Sequence, residues 1–104
     1  MGPFRIDRAK VERYLLDPHH PVGGPKCFLF VRYGFDVGRP DDLIRALLKH
    51  VHDHHRSSTL VPSIVRQKRV VTGGLKTPSG LVPNAVSVWE QAEDHERLIT
   101  AYIR

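Results

Sequence analysis

Two histidines and a lysine lie close together in a segment rich in proline and glycine. His19 and His20 precede Pro21, and Lys26 follows Pro25. An imidazole can donate or accept a proton near neutral pH, and an ammonium group can bind a negatively charged oxygen. The start of a helix adds backbone amides that also attract anions. These residues predict a site for a phosphodiester with acid or base catalysis, and a loop of surface histidines is the alternative interpretation.

Two hydroxyl groups lie near the end of the sequence. Residues 97–104 alternate in the manner of a β-strand, in which neighbouring side chains point to opposite faces. This alternation places Thr100 and Tyr102 on one face together with Leu98. That face is a candidate site, and it is equally a candidate for a half-buried sheet face.

Basic and aromatic residues suggest contacts with nucleic acid. Arg66 and Lys68 share a face in one strand register, so they could hold a phosphate backbone, although a charged strand edge that discourages aggregation is an equal alternative. Trp89 could stack on bases together with Tyr102, although a single tryptophan in a small domain is more often part of the core. We predict Arg66, Lys68 and Trp89 as nucleic-acid contacts.

A histidine cluster near the middle of the chain raises the possibility of zinc. His50 and His54 have the i, i+4 spacing that suits one metal ion on a helix face. A closed site needs further ligands, and the single cysteine, Cys27, is distant in sequence. We therefore predict no metal and no cofactor, and the sequence does not decide whether residues 50–55 bind a metal.

Three helices are predicted in the first half of the chain. The first covers about residues 8–16, because an aspartate N-cap precedes it and an Asp-Pro pair ends it. The second covers residues 26–33, where Pro25 and Gly34 favour a helix although the continuous apolar run is also typical of a strand. The third begins at Pro40 and has apolar residues at three- and four-residue spacing.

Strands are predicted after the helices, over residues 66–74, 84–91 and 97–104, with a weak edge strand within 60–65. Helices followed by a meander predict a single α+β domain over residues 1–104, with N-terminal helices packed on a C-terminal antiparallel β-meander of three to four strands. The alternation of side chains then predicts one face turned to the helices, with Val86, Val88, Ile99, Ala101 and Ile103, and an open face with Ser87, Trp89, Thr100 and Tyr102.

Composition limits the function classes. Among 104 residues, sixteen Lys and Arg against eleven Asp and Glu give a net charge of +5, which favours phosphate-bearing or acidic partners. The lone Cys27 excludes an intrachain disulfide and is typical of a buried small hydrophobe in a reducing compartment. No signal peptide or membrane-spanning run is visible, so we expect a cytoplasmic protein without a membrane partner.

Several segments together resemble a bacterial domain family of unknown function: residues 20–30, Gly34-Phe35, residues 75–80, Val88-Trp89 and residues 97–102. The order of helices and meander is also similar to the barnase, EndoU, colicin and RelE-like fold of metal-independent ribonucleases, many of which are toxins. In that group, a His or Lys from a loop or helix and a Thr, Ser or Tyr on late strands surround the scissile phosphate. The resemblance implies that His20, Lys26, Thr100 and Tyr102 are the catalytic residues.

The same resemblance implies a reaction. The 2′-hydroxyl of RNA attacks its own phosphate, with His20 as general base or acid, Lys26 neutralising the developing charge, and Thr100 and Tyr102 positioning the phosphate. RNA and a cognate inhibitor protein are the partners implied. The alternative is a non-catalytic module that binds a protein or nucleic acid through the exposed sheet face. The sequence does not predict the oligomeric state.

Overall fold

The computed structural model describes residues 3–104, which fold into helices packed against a five-stranded sheet. The helical segments are α1 (Arg8–Lys10), which continues into a π-helical turn (Val11–Leu15), α2 (Gly23–Arg32), α3 (Pro40–His54) and a 3₁₀ turn (His55–Ser57). The strands are β1 (Phe4–Arg5), β2 (Thr59–Val61), β3 (Lys68–Gly74), β4 (Asn84–Gln91) and β5 (Glu96–Ile103). The predicted α+β class is confirmed.

The helices begin and end at the residues that local chemistry favours. Asp7 caps α1, and its Oδ1 accepts a hydrogen bond from the amide of Ala9 at 3.0 Å. Helix α2 begins at Gly23, three residues earlier than predicted, and ends before Gly34, whose φ of 102° favours glycine. Helix α3 begins at Pro40, as predicted.

The sheet is mixed, with strand order β1-β5-β4-β3-β2. Strands β2 to β5 form the predicted antiparallel meander, and β2 stops at Val61 because Pro62 cannot continue a strand ladder. The unpredicted β1 pairs in parallel with β5, with Phe4 opposite Glu96 and Arg5 opposite Arg97. Two residues are too short a segment for the alternation of side chains to be visible in the sequence.

The core lies between the helices and one face of the sheet. Helix α3 packs on β1, β3 and β4, while α2 and the π-helical turn pack on each other and α2 packs on β5. Cys27 is buried within this core, and burial raises the pKa of its thiol. The largest buried apolar side chains are Trp89, Phe30, Leu15, Leu43, Leu47 and Leu75.

The predicted assignment of β4 side chains to the two faces of the sheet is wrong, because the two faces are exchanged. Ser87 and Trp89 are fully buried on the helix-facing side, whereas Val86, which is also buried, pairs with the partly exposed Tyr102 on the opposite face. A bulge between Val88 and Trp89 adds a residue to β5, so that Leu98 joins the buried side although Thr100 does not. The alternation of side chains is interrupted at the bulge, which the sequence pattern did not indicate.

A polar chain explains why serine and histidine are tolerated in the core. Trp89 Nε1–H donates to Ser87 Oγ at 2.9 Å, and Ser87 Oγ lies 3.0 Å from His50 Nδ1. Nε2 of His50 lies 3.1 Å from the carbonyl oxygen of Gly73 and 3.2 Å from that of Ala85. Because carbonyls only accept, Nε2 carries the proton, Ser87 donates to Nδ1, and every buried polar group has a partner.

Within residues 3–104, no helix has the length and apolar character needed to cross a membrane.

Candidate functional site

The candidate site is built where the π-helical turn, the start of α2 and strand β5 meet. The hydroxyl of Tyr14, from the π-helical turn, lies 2.9 Å from Oγ1 of Thr100 on β5. The two residues are 86 positions apart in the sequence, so only the tertiary fold brings them together. Tyr14 lies within the helix predicted over about residues 8–16, and its hydroxyl was not predicted as part of a site.

Gly23 allows α2 to begin directly against Tyr14. A Cβ atom at residue 23 would lie 2.0 Å from the carbonyl oxygen of Tyr14 and 2.7 Å from Cδ1 of its ring. Such distances are far below van der Waals contact, so any larger residue would push the helix away from the tyrosine. Glycine at this position fixes the distance between α2 and the π-helical turn.

His20 caps the start of α2 with its own ring. Nδ1 of His20 accepts hydrogen bonds from the backbone amides of Val22 at 3.0 Å and Gly23 at 2.9 Å. The sequence predicted that backbone amides at the start of this helix would bind an anion. In the structure, these two amides donate to the imidazole of His20 instead. Because Nδ1 accepts, the proton of the neutral ring is on Nε2, and Nε2 is the nitrogen left for contact with a ligand.

The imidazole of His20 also packs on the ring of Tyr14. Their centroids are 4.9 Å apart with an angle of 71° between the planes, which is an edge-to-face arrangement. The histidine is therefore held both by the helix start and by the tyrosine. Its orientation is set by the fold and not by a free loop.

Two lysines place positive charge around the same tyrosine. Nζ of Lys26 lies 5.8 Å from the ring centroid of Tyr14 and 6.0 Å from that of Tyr102, and Nζ of Lys10 lies 5.4 Å from that of Tyr14. These distances are suitable for cation–π contacts. Neither lysine forms an ion pair with an acidic side chain within the part of the chain that the structure describes.

A shallow cavity adjoins this cluster. It has a volume of about 320 Å³ and is lined by Pro25, Lys26, Leu29 and Tyr102. The tyrosine is 36% exposed, so its ring is accessible from the cavity. The predicted residues His20, Lys26, Thr100 and Tyr102 thus lie around Tyr14, linked to it directly or through Lys26. Their catalytic roles stay predictions.

The cluster has the composition of an anion site. Lys10 and Lys26 supply positive charge that no acidic side chain of residues 3–104 neutralises, one hydroxyl of the bonded pair Tyr14 and Thr100 can donate to a ligand, and Nε2 of His20 carries a proton. A phosphate group has the matching charge and acceptors. A lysine four residues before a tyrosine on one helix, here Lys10 and Tyr14, is the sequence signal that could have identified this tyrosine.

The predicted nucleic-acid contacts lie elsewhere on the sheet. Trp89 was predicted as a base-stacking residue, and this prediction is wrong because the indole is fully buried. Arg66 is exposed and donates to the carbonyl of Gln91 at 3.3 Å. Lys68 lies opposite Glu90 in the ladder. Contacts of Arg66 and Lys68 with nucleic acid stay predictions.

The central histidines are used in packing. Nε2 of His54 lies 3.0 Å from the carbonyl oxygen of Gly74, and His50 belongs to the buried polar chain with Ser87. Burial lowers the pKa of His50, although the carbonyls of Gly73 and Ala85 partly oppose this shift. Within residues 3–104, no group of three or more His, Cys, Asp or Glu side chains is arranged to hold a metal ion.

A larger cavity lies on the other side of the molecule and was not predicted. It has a volume of about 580 Å³ and is bounded by β1, α3 and β3, with Phe4 and Leu48 in its wall. Of its charged residues, Arg69 and Glu96 bind each other at 2.9 Å, and Lys49 binds Asp53 at 3.3 Å. Arg69 also donates to Ser58 Oγ at 2.6 Å. Its charges are therefore already paired, unlike those at the Tyr14 cluster.

The fold is similar to that of one chain in a solved complex. One solved structure with a similar fold is a contact-dependent growth inhibition toxin–immunity protein complex from Klebsiella pneumoniae 342, with a TM-score of 0.71 over 95% of this chain and 92% of that chain. The sequence identity is 16%, so the similarity concerns the fold alone.

The sequence gives the family. The chain belongs to DUF6883, a domain of unknown function, which matches residues 3–104. This match confirms the expected relation to a family of unknown function. No curated protein is detectably similar in sequence.

Proposed function

We propose that the protein is a toxin-like ribonuclease that cleaves RNA without a metal ion. The observation that carries this proposal is the arrangement of groups around the ring of Tyr14. The imidazole of His20 and the ammonium groups of Lys10 and Lys26 lie against this ring, and the tyrosine hydroxyl is bonded to that of Thr100. Such a group can bind a phosphodiester and stabilise negative charge that develops on it. The reaction class comes from the similarity to metal-independent ribonucleases.

The hydrogen bonds of His20 favour a role as a hydrogen-bond donor through Nε2–H. The 2′-oxygen of the substrate attacks the adjacent phosphorus, the bond between phosphorus and the 5′-oxygen breaks, and a 2′,3′-cyclic phosphate forms. Nε2–H of His20 donates a hydrogen bond to the leaving 5′-oxygen and stabilises its developing charge, while the proton of the 2′-hydroxyl passes to water and water supplies the proton that the 5′-oxygen takes up. A general base at Nε2 would require the proton on Nδ1, which already accepts from Val22 and Gly23.

The other residues bind and position the phosphate. Lys26 and Lys10 neutralise charge that develops on the non-bridging oxygens, and this electrostatic contribution is commonly the largest one in phosphoryl chemistry. The hydroxyl of Thr100, fixed by Tyr14, donates to a phosphate oxygen. The exposed ring of Tyr102 forms a wall of the adjoining cavity, where it can stack on a neighbouring base.

The similar fold of a toxin–immunity complex supports a toxin-like role. By the same reasoning, a cognate inhibitor protein is a proposed partner. An enzyme of this kind that works on cellular RNA needs such a partner in the cell that makes it.

The test is cleavage of RNA in the presence of a chelator. Wild-type protein is expected to produce fragments ending in 2′,3′-cyclic phosphate, and Lys26→Ala and Thr100→Ala to reduce the rate by about 10² to 10³-fold. Lys76→Ala and Thr72→Ala are the matched controls, because both residues are exposed and lie outside the cluster. The controls are expected to cleave at the wild-type rate.

Intact RNA in every lane would overturn the enzymatic proposal. If RNA then still bound with an affinity that weakens as salt increases, the protein would be a non-catalytic binding module. Cleavage that is equally fast in Lys26→Ala and in wild type would place the active site elsewhere.

A further inference from the structure

The outer edge of the sheet at β2 has exposed apolar side chains and unpaired backbone. We call residues 59–65 the edge segment. Leu60 and Val61 are about half exposed, at 48% and 41%, and Ile64 and Val65 are almost completely exposed. Because β2 is the last strand in the sheet order, it has a neighbour on one side only.

The backbone of this segment has few partners. Only residues 59–61 pair with β3, and residues 62–65 form no hydrogen bond with another backbone group in the described part of the chain. Apolar side chains on an unpaired strand edge are a template for an additional strand. Pro62 removes one donor and limits the new ladder to β2, so Ile64 and Val65 would contribute side-chain contacts.

Basic residues lie on both sides of the edge segment, and the nearby Glu96, which lines a small cavity together with Leu60, is paired with Arg69. Between Asp53 and Glu90 the sequence contains no acidic residue. The basic residues in this stretch are Arg56, Arg66, Lys68, Arg69 and Lys76. Of these, Arg69 is paired with Glu96, while Arg56 and Arg66 are exposed and flank the edge segment.

We propose that the edge segment binds an extended acidic segment of a partner protein, which adds to β2 as a sixth strand. The new strand would supply backbone partners along β2, apolar contacts to Leu60 and Ile64, and carboxylates to Arg56 and Arg66. A second copy of this chain would bring the same cations together, which opposes pairing of two β2 strands. RNA would satisfy the cations but leave the apolar side chains exposed to water.

The position of this surface separates it from the Tyr14 cluster. Strand β2 forms one edge of the sheet, while the cluster lies beyond β5, with β3 and β4 between them. A partner strand on β2 therefore leaves the catalytic cluster open. The proposal does not depend on ribonuclease activity, and binding at β2 is expected to leave any RNA cleavage unchanged.

The test uses a synthetic ten-residue peptide that alternates valine with glutamate, and a second peptide with lysine in place of glutamate. Binding is followed by fluorescence anisotropy of the labelled peptide, and hydrogen–deuterium exchange of the full chain maps the contact. We expect the acidic peptide to bind, the basic peptide not to bind, and the amides of β2 to be protected. Leu60→Glu should weaken binding by at least about tenfold, through lost apolar contact and added repulsion.

Leu81→Glu is the matched control, because Leu81 is an exposed leucine at 63% that lies outside the edge segment. It is expected to bind the acidic peptide as wild type does. Absence of binding, or equal weakening in both variants, would overturn the proposal. A dimer joined through β2 in sedimentation, or displacement of the peptide by single-stranded RNA, would assign the edge to a second copy or to nucleic acid instead.

Discussion

Gly23 is the position at which one added carbon should disturb both the stability and the site. In Gly23→Ala, the new Cβ would lie 2.0 Å from the carbonyl oxygen of Tyr14, so the helix and the π-helical turn must separate by about 1 Å to reach even a tight contact of 3.0 Å. Overpacking of this kind costs about 1–3 kcal/mol of the free energy of unfolding. A displacement of about 1 Å at a catalytic site can cost about 100-fold in rate.

The direction of the effect makes this variant informative. In a helix without such a contact, alanine would be more favourable than glycine by about 1 kcal/mol. Loss of stability on Gly23→Ala therefore reports the contact with Tyr14 and not helix propensity. The assay is urea denaturation followed by far-UV circular dichroism, with RNA cleavage measured on the folded variant.

Gly38→Ala is the control for this measurement. The nearest atom to a Cβ at residue 38 is a side-chain oxygen of Asp36 at 3.3 Å, which can move at little cost. The control should change the free energy of unfolding by less than about 0.5 kcal/mol. If Gly23→Ala is as stable as wild type, the close approach of α2 to Tyr14 is refuted, and with it the geometry of the candidate site.

Two further predictions concern the buried polar chain. Ser87→Ala leaves Trp89 Nε1 and His50 Nδ1 without partners, so it should lower the free energy of unfolding by about 2–5 kcal/mol. Ser63→Ala, at an exposed serine, is the control and should change that free energy little. Equal stability of the two variants in urea denaturation would contradict the polar chain. Burial lowers the pKa of His50 from 6.5, so the unfolded chain binds a proton that the folded chain does not. The free energy of unfolding should therefore fall as the pH drops below about 6.5. In His50→Gln, this free energy should depend less steeply on pH. If both proteins show the same pH dependence, other groups cause it.

The elements of the fold were largely predictable because their signals are local. Helix α3 combines Pro40 at its start with regular apolar spacing, and β4 covers the predicted residues 84–91. The faces of the sheet were not predictable in the same way. Serine is typical of a surface position, so Ser87 was assigned to the open face. Its hydroxyl can be buried because it forms hydrogen bonds with His50 and Trp89, which the sequence pattern does not indicate.

Four residues of the candidate cluster were named from the sequence, whereas Tyr14, Lys10 and the arrangement of the cluster were not. The predicted His20, Lys26, Thr100 and Tyr102 lie around one tyrosine, but the sequence could not show that His20 itself occupies the amides of α2. That bond depends on a turn of three residues whose geometry has no sequence signature. Trp89 was misassigned because hydrophobicity alone does not tell an exposed aromatic platform from a buried core residue.

The contact between Tyr14 and Thr100 has a consequence for the biosynthesis of the protein. Thr100 and Tyr102, which complete the cluster, are translated after Tyr14, His20 and Lys26. Until β5 is released, α2 lacks the strand on which it packs. The cluster therefore cannot assemble before β5 has left the ribosome, and a partner that captured α2 at that stage would keep it from assembling.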